Sequence, residues 1–372
     1  GGTRDGLKED VVSLSRGHLL TWTGSAWTPI GSALPEPGRG FALYLRDKAA
    51  ARIDAPGLVL DLEGPPATTD LTVTGLAAAD LFHFLGNPFT EGFDLSALDL
   101  AGSGFRTTVH VFDPETQGYV AVVQAEDDSD VIAPWQGFLV ERVASGAGTL
   151  SLTFETEGRV AASAKAGPLA SRTVPGVLPL TLTTEADGTD RAALLLREGA
   201  EAGWDLLDAT KPTALGAREA WLALASGVEG EPTLASLLAR PLDPFEAGLH
   251  VAGSGAAELS WPNALGLPDG WTARLVDRQT GTETDLASTA RYAFRLSDAP
   301  LASRAAVDDD DAPWFAPLLP TEAAASAPGG ARFWLVVGPA DVSASPLALA
   351  LGVGPNPARG RATVSVTLPE AS

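Results

Sequence analysis

The feature that most limits what this chain can become is an alternation of apolar and polar residues with a period of two. That period puts successive side chains on opposite faces of an extended strand. Val109-His110-Val111-Phe112 and Tyr119-Val120-Ala121-Val122 flank the turn Asp113-Pro114-Glu115-Thr116-Gln117-Gly118 and read as a hairpin. Residues 150–154, 178–184, 271–277 and 333–337 repeat the grammar, with Leu178, Leu180 and Leu182 on one face. Glycine (40) and proline (28) break the runs of this 372-residue chain, which favours many turns and short strands over long helices.

The order of these pieces implies a duplication. Residues 18–64 hold Leu19-Leu20-Thr21-Trp22, a turn at Gly24, Trp27-Thr28-Pro29-Ile30, then Pro37-Gly38-Arg39-Gly40-Phe41 and the strand Ala42-Leu43-Tyr44-Leu45. Residues 107–158 hold the hairpin above, then Pro134-Trp135-Gln136-Gly137-Phe138 and a strand. Two copies are too few for a solenoid, so a duplicated β-domain is expected. The predicted fold class is all-β, a duplicated β-repeat domain followed by an Ig-like or jelly-roll-like β-sandwich. The expected divisions are a hairpin-repeat domain over 1–160, a linker over 161–176, a sandwich over 177–345, and a linker with a last strand over 346–372. Residues 292–296 and 333–337 are expected to close the sandwich as a pair. Residues 236–238 fit a helical turn or a strand equally well.

Composition excludes several chemistries. The absence of cysteine removes thiol catalysis, disulfides and cysteine-ligated zinc. The absence of methionine reads as a processed or partial product. A formal charge of −22 repels phosphate backbones, so nucleic acid is a poor partner. No window approaches the roughly 18 apolar residues of a membrane span. The four histidines, His18, His83, His110 and His250, form no metal-ligand spacing, and His83 and His110 read as packed side chains. No nucleophile elbow, phosphate loop or dinucleotide fingerprint occurs, and no enzyme is expected.

Two features retain a binding reading beside a bland one. Asp308, Asp309, Asp310 and Asp311 offer hard oxygen ligands for Ca²⁺, but consecutive acids point in several directions and a solvated loop is the competing reading. Asp127-Asp128-Ser129-Asp130 is a similar case. Trp22, Trp27 and Trp135 lie on or beside the repeated hairpins, where exposed rings would stack on sugars and buried ones would form small cores.

Three motifs carry a resemblance when taken in order. DLFHFLGNPF (80–89), VHVFDPETQGYVAV (109–122) and PWQGFLV (134–140) together resemble a repeat found just ahead of type IX sorting domains in secreted surface proteins. LPDGWTARLVDRQTGTETDL, RYAFRL and ARFWLVVGP resemble the sandwich module that precedes those domains, and REGAEAGWD matches its loop. The stretch PNPARGRATVSVTLPEA, with Pro355, Asn356, Pro357, Arg359 and Gly360, is similar to the opening of a type A C-terminal sorting domain of Bacteroidetes and their relatives. The chain departs from the pattern in three places. The first copy has Arg39 where the second has Gln136, it lacks its own Leu-Gly-Asn-Pro segment, and 297–331 is a long insertion. The resemblance implies export by type IX secretion and a secreted or cell-surface location, and it implies no reaction. The expected function is a non-catalytic structural or adhesive protein. The expected partners are the type IX machinery and other surface proteins or further copies. The alternatives are a carbohydrate-binding module and a self-assembling extracellular filament or sheath built by edge pairing of 364–368.

Overall fold

A computed structural model of the chain describes residues 19–24, 27–29, 36–43, 67–113, 118–124, 131–143, 147–161, 176–185, 188–212, 220–226, 234–263, 265–296, 331–340, 352–353 and 364–365. The protein is all β. Among the described residues the only helical pieces are 3-10 turns at Leu95–Ala97 and Thr156–Gly158.

The repeated grammar becomes a repeated arrangement of strands. In the first copy β1 (Leu19–Trp22) pairs with β2 (Trp27–Pro29) and, on its other edge, with β3 (Ala42–Leu43). The second copy and its surroundings comprise β4 (Leu71–Ala77), β5 (Phe82–Gly86), β6 (Gly92–Asp94), β7 (Phe105–Asp113), β8 (Gly118–Val123), β9 (Val131–Ile132), β10 (Gly137–Arg142), β11 (Thr149–Phe154) and β12 (Arg159–Val160). There the order β5-β10-β7-β8 repeats the order β3-β1-β2 and adds one strand. Each return strand is entered through the same turn. Arg39 N donates to Glu36 O at 3.0 Å, and Gln136 N donates to Ala133 O at 3.0 Å. Each turn has proline second and a left-handed residue third, Gly38 at φ 79° and Trp135 at φ 58°, which is the geometry of a type II turn.

Both turns grip β5. Gly86 N donates to Gly38 O and Gly40 N to Phe84 O, each at 3.0 Å, on one edge. On the other edge Gly137 pairs with Gly86, and Asn87 N donates to Gln136 O at 3.1 Å. The Phe84 ring lies across both glycines. A Cβ at Gly40 would sit 2.6 Å from Phe84 Cδ1, and one at Gly137 would sit 2.5 Å from its Cζ. Alternation then sorts the two faces of this sheet. Leu85, Val109, Val111, Phe138 and Val140 enter a core with Phe89, Phe93, Phe105 and Phe154. Phe82, Phe84 and Leu139 face the other way, against Leu20 and Trp27. Strands β4 and β11 pair beneath the first face, with a register shift where Gly75 adopts φ 69°. That bulge breaks the period of Leu71–Ala77, and it explains why the pattern there does not announce a strand.

The second half contains β13 (Val177–Thr184), β14 (Thr189–Leu196), β15 (Ala209–Thr210), β16 (Ala220–Ser226), β17 (Leu234–Arg240), β18 (Phe245–Gly253), β19 (Gly255–Ser260), β20 (Trp271–Asp277), β21 (Thr282–Asp285), β22 (Arg291–Leu296) and β23 (Phe333–Pro339). The sandwich is realised by one sheet folding back on itself. The path runs β21-β20-β23-β18-β16-β17-β14-β13-β19-β22, with β15 added on β17. Its inner face is filled with leucine, among them Leu178, Leu180, Leu194, Leu222, Leu249 and Leu275. Residues 236–238 prove to be strand, within β17. The expected closing pair is corrected: β22 bonds to β19, and β23 bonds to β18 and β20. The two segments meet through rings, with Phe294 and Phe333 edge-to-face at 4.8 Å. Side chains therefore close the sheet where backbone bonds do not.

Asp277 is the polar half of that closure. It is fully buried on β20 and accepts from Arg332 Nη2 at 2.9 Å, from the Tyr292 hydroxyl of β22 at 3.1 Å, and from Gln279 N at 2.9 Å. Arg332 Nη1 also donates to Arg295 O at 2.6 Å. Burial pushes the Asp277 carboxyl up, but Arg332 and the Gln279 amide outweigh it and hold the group below the usual carboxylate range. Near the C-terminus β24 (Gly352–Val353) pairs with β25 (Val364–Ser365). Residues 162–175 of the expected linker 161–176 lie outside the described residues. Asp277→Ala should cost about 3 kcal/mol and Tyr292→Phe about 1 kcal/mol in urea unfolding, because the first strands a guanidinium and the second removes one neutral donor.

Candidate functional site: the seam between the halves

A cluster of buried polar side chains lies where the face of β10 and β7 meets β15 and β17. Period two places Leu139 and Glu141 together on β10 and Arg106, Thr108 and His110 together on β7, so β10 delivers one ionisable group to the seam and β7 delivers two. Glu141 is 1% exposed. Its Oε1 accepts from Arg106 Nε at 2.9 Å and from Thr210 Oγ1 at 2.7 Å, and its Oε2 accepts from Thr210 N at 2.8 Å. Arg106 in turn donates to Asp205 O and lies over the Trp204 ring at 5.1 Å. Burial pushes the Glu141 carboxyl up, against the pull of Arg106 and Thr210.

Further bonds cross the same seam. Thr107 and Thr108 hydroxyls donate to Leu206 O and Leu207 O at 3.2 Å each. Arg191 donates to Asp113 at 2.9 Å. His110 Nε2 meets Ser236 Oγ at 2.9 Å, while its buried Nδ1 finds no partner among the described residues. Burial, reinforced by the nearby Lys211 ammonium, pushes His110 down to about 3. Lys211 is itself buried and donates to Asp190 at 2.9 Å and to Arg191 O at 2.7 Å. Asp208 receives Asp205 N at 2.7 Å and Ala239 N at 2.8 Å, and burial pushes it up to about 6. Apolar contact continues across: Val177, Leu195, Ala209 and Leu237 belong to the same buried cluster as Phe105, Val122 and Phe138.

A groove of about 830 Å³ opens at one end of the seam, lined in part by Asp99, Gln124, Arg197, Glu198, Glu201 and Asp205. Three of these side chains, Gln124, Asp205 and Asp99, turn back on the backbone. Gln124 Nε2 donates to Leu95 O and Leu98 O at 2.7 Å. Asp205 accepts Glu201 N at 2.8 Å and Leu207 N at 2.7 Å, and Asp99 accepts Gly102 N at 2.9 Å. These carboxylates hold loop shape. The motif residues do the same: Asn87 Nδ2 donates to Glu91 O, Ile132 O and Ala133 O, and its Oδ1 accepts Phe89 N. Leu-Gly-Asn-Pro is therefore a staple between β5, β6 and β9, whatever else it marks.

Of the three tryptophans weighed between sugar platform and small core, Trp27 is corrected as a platform and Trp22 is half-buried beside it. Trp27 is 7% exposed and packs edge-to-face on Phe84 at 4.9 Å. Trp22 pairs with it at 5.4 Å and donates Nε1 to Phe82 O at 2.8 Å. Both rings are spent on seating the first copy, because a hairpin this short needs aromatic burial to hold its place. Trp135 alone stands out from the surface. Asp308, Asp309, Asp310, Asp311 and Asp127-Asp128-Ser129-Asp130 lie outside the described residues, as do Pro355, Asn356, Pro357, Arg359 and Gly360. Among the described residues no group of three or more His, Asp or Glu side chains is placed to hold a metal ion. His83 is packed against Phe105 at 5.9 Å, and burial lowers it. The seam itself, built from Arg106, Glu141, Asp208, Thr210 and Ser236, escaped the sequence reading. Its one available signal was a charged residue on the apolar face of each of two strands. No family model, no curated protein and no solved structure matches the chain.

Two outcomes test the seam. Arg106→Ala should destabilise by about 3–5 kcal/mol, since it strands the Glu141 charge. Adding Glu141→Gln should recover part of that loss in a double-mutant cycle. For His110 the folded value lies below the ordinary 6.5, so the neutral form is favoured in the fold. Its contribution is whole above pH 6.5 and drains away as the pH falls toward 3, by about 1.4 kcal/mol per pH unit inside that window. His110→Gln should therefore gain on the wild type steadily over that range in urea unfolding. Asp208, raised to about 6, acts in the opposite sense in both proteins and cancels in the difference.

Proposed function

We propose that this chain is a non-catalytic structural module of a secreted or cell-surface protein, exported by type IX secretion, whose task is to hold two β units in one fixed orientation. The observation that carries the reading is the seam. The bonds that cross it, from Thr210 to Glu141, from Arg191 to Asp113, from Thr107 and Thr108 to Leu206 and Leu207, and between His110 and Ser236, cross-link strands of the two halves. A joint of that kind resists hinge motion, because opening it would expose apolar surface and break the Arg191–Asp113 pair together with these bonds. Export and surface placement are supported by the ordered motifs at 80–89, 109–122 and 134–140 and by the segment around Asn356. The partners this implies are the secretion machinery and neighbouring surface proteins or further copies.

The spacer reading is tested by calorimetry. One cooperative transition with equal calorimetric and van't Hoff enthalpies is expected across both halves. Two separated transitions would mean a flexible joint and would sink the idea. Export is tested by removing residues 354–372 from the native gene product and following it between cell fractions. Unchanged release to the surface would remove the type IX reading.

A further inference from the structure

We propose that Trp135 is the contact residue of a saccharide-binding site that takes neutral pyranose rings on its exposed indole face. The inference does not depend on the spacer reading. Trp135 is 58% exposed, the most exposed of the large apolar side chains among the described residues. Among the described residues it is also the one non-glycine with a left-handed backbone, at φ 58°. The matching turn of the first copy shows what that position asks for. Gly38 stands there at φ 79°, and a Cβ on it would fall 2.5 Å from Val73 Cγ2. The second turn puts the bulkiest side chain at a position that favours glycine, and then leaves the ring in water. Packing does not offset the backbone strain, so the residue points to a role outside the fold.

The platform is rigid. Pro134 fixes the turn's second residue. Gln136 Oε1 accepts Ala133 N at 2.9 Å, and Asn87 Nδ2 donates to Ala133 O at 3.1 Å and to Ile132 O at 3.2 Å. These bonds fix the backbone from which the indole projects. Its size selects the ligand. An aromatic side chain covers roughly 150–250 Å² in all, far less than the ~800 Å² per partner of a stable protein interface. One indole face matches one sugar ring. The formal charge of −22 selects against anionic glycans and leaves neutral hexoses and N-acetylhexosamines.

The intact chain and Trp135→Gly are compared on an array of neutral hexose and N-acetylhexosamine oligosaccharides, followed by titration calorimetry on the best of them and by thermal melting. The wild type should be retained by at least one neutral glycan. Trp135→Gly should weaken that binding about tenfold or more, with the melting temperature unchanged or higher because glycine relaxes the left-handed backbone. The proposal is overturned if the wild type binds no neutral glycan, if it binds only anionic ones, or if the variant binds as well. A Trp135-dependent signal seen only with a polypeptide overturns it too, as does a fall in melting temperature beyond about 5 °C, which would mark the indole as structural.

Discussion

A carboxylate held out of water must have its acceptor sites met, and at Glu141 the donors come from two sides of a seam. Arg106 supplies one from its own half, and Thr210 supplies two from the other. Arg106 stays with Glu141 if the halves part, but Thr210 takes away two of the three donors that offset the burial of this carboxylate. The apolar cluster that runs from Phe138 to Leu237 acts in the same direction but without direction of its own. The hydrophobic contact presses the halves together, and the bonds of Glu141, His110 and Asp113 set where they meet. Orientation is a polar property here, and adhesion of the surfaces an apolar one.

Within the first half the comparable constraint is the pair of edges on β5. A strand has two, and both are taken, by β10 and by the Gly38–Gly40 segment. The Phe84 ring spans the two approaching backbones, which is why each arrives as glycine. The duplication is therefore not two separate modules side by side. The first copy's return segment leans on a strand of the second, and its hairpin is seated by Trp22 and Trp27 against Phe82 and Phe84. Aromatic rings do the same work in the second half, where Phe294 of the end strand β22 packs on Phe333 of β23, a strand to which β22 makes no backbone bond.

Much of the strand content was legible. The hairpins at 19–29 and 105–123 and the strands around 178, 271 and 333 could be read because two-residue alternation is a local property that needs no partner to be seen. Strand β4 was not legible, since the bulge at Gly75 shifts its phase partway along. Strand β17, Leu234–Arg240, is buried at almost every position and so shows no alternation at all, which left helix and strand equally open. The candidate sites fared less well. Trp22, Trp27 and Trp135 all lie on or beside the repeated hairpins, yet Trp27 is buried, Trp22 half-buried and Trp135 exposed, because exposure depends on what folds over each ring.

The sequence by itself determined the class of structure, the main hairpins and the strongly acidic balance of charge, which follow from the order of neighbouring residues and from composition. Tertiary structure alone decided that the second half is one curled sheet, that β22 and β23 meet by rings, and that Glu141, Thr210, His110 and Ser236 converge. Those contacts join residues roughly 40 to 130 positions apart. No local pattern encodes them, because a buried charge is tolerable only once its partner has arrived from elsewhere in the chain.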